Sequence, residues 1–191
     1  DVYKTATKEK HGAFQCQTGE DKALALGLPL LAKLAEPTSE AGAPEALLLT
    51  PTREMAKKIS RSIQDLAIAQ DLQLVSVYGG VSVGRQATAL ESPVDLLIGT
   101  PGRLLDHHGR ENIDFKRIRT IFLDSADEMY GMGFWKTVNE LLALVPEGFE
   151  LGEGYGSGFV FHPFCNGPVW KDWQDPTVHG YIGGTRVIRP P

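Results

Sequence analysis

Two carboxylates, Asp124 and Asp127, follow the apolar run Ile121-Phe-Leu123. An aspartate at the end of a buried strand is well placed to hold a magnesium ion that arrives with a nucleotide. Near the start of the chain, Gly19 and Lys22 stand in Gln17-Thr-Gly-Glu-Asp-Lys-Ala23. That stretch lies between a short strand-like segment, Ala13 to Cys16, and a helical run, Leu24 to Ala35, in which Pro29 predicts a kink. Strand, glycine turn, lysine and helix is the layout that wraps backbone N–H groups round a phosphate, in the pattern G-x-x-x-x-G-K-[ST].

The pattern is incomplete. Asp21 occupies the position of the glycine before the lysine, and Ala23 that of the hydroxyl residue after it. A carboxylate about 4 Å from a phosphate costs on the order of 4 kcal/mol at an effective dielectric of about 20. Glu20 adds to the repulsion. Ala23 lacks the oxygen that would sit on magnesium.

The elements that must position these residues are legible from periodicity. Ala46 to Thr50, Leu72 to Tyr78, Val94 to Thr100 and Ile118 to Leu123 read as strands, the first of them continuously apolar, as in a sheet covered on both faces. Between them lie helical patterns from Pro51 to Ala69, around Val83 to Leu90, and from Pro101 to Asp106; another runs from Phe134 to Val145. Alternation of this kind predicts an α/β fold, an open, mostly parallel sheet with helices on both faces. The His107-His108 pair at a helix end is expected to be a solvated cap.

Four stretches in this frame carry a resemblance. Pro51-Thr-Arg-Glu-Met-Ala56 resembles the Pro-Thr-Arg-Glu-Leu-Ala motif of DEAD-box RNA helicases, and Gly79-Gly80 the family's glycine doublet. Thr100-Pro-Gly-Arg103 matches the next motif letter for letter, and Asp124-Ser-Ala-Asp-Glu-Met129 resembles the Asp-Glu-Ala-Asp box. With Gln17 to Ala23 in place of the phosphate loop, the order is that of the family's first RecA-like domain, over residues 11–146. The resemblance implies that Arg53, Gly80, Thr100 and Arg103 touch an RNA backbone. It also implies that Gly19, Lys22, Asp124 and Asp127 are relics of a nucleotide site. Ser125 stands where the family has its catalytic glutamate. No glutamine motif for adenine is visible in residues 1–10, no Ser-Ala-Thr motif follows the box, and 191 residues leave no room for a second RecA-like domain. The expectation is therefore a non-enzyme that binds neither ATP nor magnesium.

Composition changes from Leu151. Residues 151–191 hold eight glycines, five prolines and seven aromatic residues with no regular period. Residues 147–191 are read as an irregular extended tail whose Phe159, Phe161, Phe164, Trp170, Trp173 and Tyr181 bind a partner protein or cover the chain's own domain. Residues 1–10 are read as an N-terminal arm. His162, Cys165 and His179 match no zinc spacing, so no metal site is expected. No apolar run is long enough to span a membrane.

The net charge of −5 and pI of about 5.5 weigh against RNA as the main partner. From these features the sequence reading is a non-catalytic, helicase-derived accessory subunit of a large mitochondrial assembly, with a respiratory-chain or ATP-synthase complex favoured by charge. The start at Asp1 is read as the mark of a removed transit peptide. The alternatives are an RNA-binding module of a ribonucleoprotein and, third, a fragment of an ATP-dependent RNA helicase.

Overall fold

A computed structural model describes residues 12–13, 20–34, 40–146, 150–155, 158–162, 181–182 and 185–186. The elements in chain order are β1 (Gly12–Ala13), α1 (Glu20–Lys33), β2 (Glu40–Ala41), β3 (Ala46–Leu49), α2 (Arg53–Ile68), β4 (Leu74–Val77), α3 (Val83–Leu90), β5 (Pro93–Val94) and β6 (Leu96–Gly99). They continue with α4 (Pro101–Gly109), β7 (Thr120–Leu123), α5 (Ala126–Gly131), α6 (Trp135–Leu142), β8 (Glu150–Tyr155), β9 (Gly158–His162), β10 (Tyr181–Ile182) and β11 (Thr185–Arg186).

The central sheet runs β1-β8-β7-β3-β6-β4, all parallel, with β9 antiparallel on β8. Every residue of β3, β6 and β7 is buried. The two-residue alternation along each strand divides the core. Ala46, Leu48, Leu96, Ile98 and Phe122 face α1 and α2. Leu47, Leu49, Leu97, Ile121 and Leu123 face the other way, against Leu90, Leu104, Met129, Trp135, Val138 and Leu141 of α3 to α6. A strand apolar at every position is therefore one that is covered twice.

Two details depart from the sequence expectation. The predicted strand from Val94 to Thr100 is broken at Asp95. Its carbonyl takes the N–H groups of Glu45 and Ala46, and its carboxylate takes the N–H of Gln73 at 2.7 Å. Pro93–Val94 then pairs antiparallel with β2, apart from the main sheet. Helix α1 starts before Leu24 and runs without interruption through Pro29. Buried Leu30, Leu31 and Leu34 fix the residues that follow the proline.

Helix α1 crosses α2 at Gly27. A Cβ there would run into Ile63 Cγ2, so only glycine permits this approach. At the amino ends of the strands, Glu45 is nearly buried and ion-paired to Arg117 at 3.1 Å and to Arg119. Arg117 also reaches Glu40 at 2.6 Å.

Within the stretch read as an extended tail, the backbone forms β8 and β9 on the main sheet and a separate β10–β11 ribbon. Phe159 and Phe161 fall on β9 and Tyr181 on β10; their side chains, and Phe164, Trp170 and Trp173 entirely, lie outside the described residues, as does the N-terminal arm.

Candidate functional site

The carboxyl ends of β3, β4, β6 and β7 lie at one edge of the sheet, which is where ligands bind in open α/β folds. The residue after each strand is tied to its neighbour. Thr50 N–H donates to the Gly99 carbonyl at 2.9 Å, Thr100 N–H to Val77 at 3.2 Å, and Asp124 N–H to Leu49 at 2.8 Å. The side chains that follow therefore start from a rigid base.

After β3, the Thr50 hydroxyl donates to the Thr52 carbonyl at 3.0 Å, and the Thr52 hydroxyl accepts the Met55 N–H at 3.2 Å, capping α2. Arg53 opens that helix with its side chain 55% exposed, in a surface ion pair with Glu54 at 2.5 Å. The hydrogen bond from Arg53 holds the Glu54 carboxyl below its ordinary range. Across from Arg53 lies Gly80, at φ +78°, where a Cβ would come within 2.7 Å of Arg53 Nη1. Position 80 thus needs glycine for its backbone, and a side chain there would displace the guanidinium. The structure brings these two candidate residues together.

Thr100 caps α4 through its backbone alone, with Pro101 at the first helical position. Arg103, one turn on, is mostly buried, at 14% exposure of its side chain. Its Nη1 donates to the Val81 carbonyl at 2.9 Å and to Gln86 Oε1 at 2.6 Å. Gln86, on α3, is 5% exposed and donates from Nε2 to the Tyr78 carbonyl at 3.1 Å.

His107 joins the same network, which corrects the expectation of a solvated histidine pair. It is fully buried, with Nε2 3.2 Å from Gln86 Oε1 and Nδ1 3.1 Å from Asn112 Nδ2. The glutamine oxygen already accepts from Arg103, so His107 carries its proton on Nε2 and accepts from Asn112 on Nδ1. Burial first, and the Arg103 charge second, push its pKa below 6.5. His108 donates from Nδ1 to the Ile113 carbonyl at 2.9 Å and stacks on Phe115. The sequence reading missed Gln86. The signal available was a polar residue four before Leu90, on the inward face of α3, where a polar group must find partners.

On the other side of β3, Asp124 is 2% exposed and Ser125 1%. Ser125 sits at φ +56°, an uncommon backbone for a residue with a side chain, and its hydroxyl donates to Asp124 Oδ1 at 3.2 Å. Asp127 lies in α5 and Lys22 in the first turn of α1, their side chains outside the described residues; Gly19 lies wholly outside them. Ala23 is packed in the core with Ala56, Ile59 and Ile63. A buried carboxylate at a strand end, oriented by a neighbouring hydroxyl, suits magnesium, which takes one or two protein carboxylates and completes its shell with phosphates and water. The donor set fits that ion. Among the described residues no helix is long and apolar enough to cross a membrane.

The family model for DEAD/DEAH box helicases matches residues 1–151. The DEAD-box ATP-dependent RNA helicase CshA of Bacillus subtilis is 37% identical over 132 residues, which are 69% of this chain and 26% of that protein. The RNA helicase CrhR of Synechocystis is 39% identical over the same share of this chain and 26% of its own length. The structure of the yeast DEAD-box splicing factor Prp28 superposes with a TM-score of 0.67 at 28% identity, covering 74% of this chain and 36% of that one. A hypothetical ATP-dependent RNA helicase from Sulfolobus tokodaii gives 0.62 at 29% identity, covering 74% and 39%. The chain spans about a quarter of the length of the curated relatives it matches.

These relatives overturn three expectations: a non-catalytic subunit of a mitochondrial assembly, the absence of enzymatic activity, and the absence of ATP and magnesium. The CshA relatives are bacterial and by name ATP-dependent RNA helicases, and CrhR of Synechocystis is by name an RNA helicase. Two physical reasons explain the error. Net charge sums over a whole chain, whereas a phosphate chain responds to charges along its path, and Arg53, Lys57, Lys58 and Arg61 are all exposed on α2. Asp21, Ala23 and Ser125 each replace a group that serves ATP in the family pattern, yet Asp124 remains buried and hydrogen-bonded at the strand end.

Proposed function

Because the chain belongs to the DEAD/DEAH box helicase family, we propose that it is the first RecA-like lobe of an ATP-dependent RNA helicase. In this reading the carboxyl edge of the sheet is divided by β3. The β6 and β4 side meets the sugar-phosphate backbone of single-stranded RNA, and the β7 side meets magnesium-bound ATP.

The observation that carries the reading is the packing of Arg53 against Gly80. An exposed guanidinium lies beside a backbone turn whose φ admits only glycine comfortably. Guanidinium and open N–H groups are the two donors that phosphate oxygens take best. On the other side, Asp124 would hold the magnesium and Lys22, by its place in the sequence, the phosphates. ATP, when bound, supplies the free energy of phosphoryl transfer. Within this lobe, Ser125 orients the Asp124 carboxylate, and the ladder bonds at Thr50, Thr100 and Asp124 hold the two halves in register.

Fluorescence anisotropy with a short oligouridylate tests the reading. Binding is expected at about 50 mM salt and should weaken steeply toward about 200 mM. Magnesium-dependent binding of a fluorescent ATP analogue, lost in Lys22→Ala and Asp124→Asn, is expected in parallel. A chain that binds neither RNA nor nucleotide under these conditions would end the proposal.

A further inference from the structure

We propose that Gln86 is a positioning residue for the RNA edge, and that Arg103 acts through it on the glycine turn rather than on a phosphate. The role in RNA binding rests on the function proposed above; the clamp itself rests on geometry alone.

The Gly79-Gly80 turn is flanked by Tyr78 and Val81, and each flanking carbonyl accepts a side-chain hydrogen bond. Gln86 Nε2 donates to the Tyr78 carbonyl at 3.1 Å, and Arg103 Nη1 donates to the Val81 carbonyl at 2.9 Å. The same Arg103 nitrogen donates to Gln86 Oε1 at 2.6 Å, so amide and guanidinium form one clamp across the turn. His107 gives the amide its orientation. With both Arg103 and His107 donating, the glutamine oxygen must face them, and its NH2 is left for Tyr78. Asn112 in turn fixes the histidine's tautomer. Backbone from the end of β4 is thereby pinned by side chains of α3 and α4.

Arg103 and Arg53 thus do different work. Arg53 is 55% exposed, and its ion-pair partner is the surface carboxylate of Glu54, which water or phosphate can replace. Arg103 is 14% exposed; its Nη1 is shared between two protein acceptors, and its Nε lies 3.8 Å from Asp106 Oδ2, which balances its charge within the protein. A side chain so committed fixes shape. It supplies no counterion to a phosphate chain, and counterion release is what salt dependence measures.

The test is a salt titration of oligouridylate binding by the 191-residue chain and its variants, each checked for its folded circular-dichroism spectrum. Arg53→Gln should reduce the slope of log affinity against log salt by about one. Gln86→Leu and Arg103→Gln should each lower affinity about tenfold with the slope unchanged, because a misplaced turn costs contacts without releasing fewer ions. The double variant should lose no more than either single one, since both break the same clamp. A slope reduced by about one in Arg103→Gln would make Arg103 a direct phosphate contact and overturn the inference. Wild-type affinity in Gln86→Leu would overturn it as well. Backbone amide relaxation by NMR separates this proposal from the function it rests on. With no RNA present, the order parameters of Gly79, Gly80 and Val81 should fall in Gln86→Leu from the rigid range of about 0.85 toward about 0.6. Unchanged order parameters sink the clamp whether or not the chain binds RNA, and absent RNA binding with lowered order parameters sinks only the function.

Discussion

At the amino edge of the sheet, Glu45 is buried and closed over by Arg117 and Arg119. At the carboxyl edge, the buried polar centre is a neutral amide, Gln86, which holds an arginine and, with it, two backbone carbonyls. The first arrangement turns its charges on one another. The second directs its hydrogen bonds to shaping a turn and leaves Arg53 and the Gly80 backbone facing outward. One end of the sheet is built to be finished, and the other to be met by something. Changes at the amino edge should therefore move stability alone, and changes at the carboxyl edge should move binding at least as much.

The largest combined effect is expected from Gly80→Ala. The left-handed backbone costs about 1–3 kcal/mol of stability for a residue with a Cβ, and the distorted turn together with the displaced Arg53 guanidinium should reduce oligouridylate affinity about tenfold. Urea unfolding and anisotropy measure the two. Wild-type affinity in this variant would erase the distinction between the edges. Glu45→Ala comes next, at about 1 kcal/mol, because the charge-assisted hydrogen bonds are lost but Arg117 and Arg119 keep access to water and are not left buried and unpaired. Its RNA affinity should not change. Arg53→Gln should lower affinity a few-fold and leave stability within about 0.5 kcal/mol, as for an exposed surface residue.

The smallest effect expected is on pH. Burial depresses the His107 pKa, so the unfolded chain takes up a proton more readily than the folded one. The neutral form's contribution is complete above the unfolded value of 6.5 and is lost as pH falls from there toward the depressed folded value. Arg103 and Arg110 facing the ring deepen the loss, and Asp106 opposes it. Asp106, lowered by its hydrogen bond from Arg110, and Asp114, lowered by the Lys116 N–H, matter only below their ordinary 3.8. Between about pH 6.5 and 5 the slope of stability against pH should thus flatten in His107→Gln. An unaltered slope would place its source elsewhere.

Much of the fold is legible in the residues themselves. β3 and β7 are dominated by residues that must be buried, and the turns after them carry threonine, proline, serine or aspartate, each suited to a strand-to-helix change. The Arg53, Gly80, Thr100 and Arg103 positions are legible too, and all lie at the carboxyl edge. Arg103's partners are not, because Val81 and Gln86 are 22 and 17 residues away in sequence and nothing local marks them. His107 misleads for a related reason. A histidine at a helix end normally serves the terminal carbonyls, but here the glutamine of a neighbouring helix draws it inward. The strand at Glu150–Tyr155 hides behind its glycines, which carry no strand preference of their own.

The crossing at Gly27 has a consequence for how the lobe can move. The residues one turn away on α1 are Ala23 and Leu24 before it and Leu30 and Leu31 after it, and each carries a Cβ. A slip of one turn along α2 in either direction would drive that carbon into Ile63. The two helices can tilt, but they have no second notch to settle in. One begins at Glu20, two residues before Lys22, and the other at Arg53, so this single crossing sets the spacing between the two helix starts.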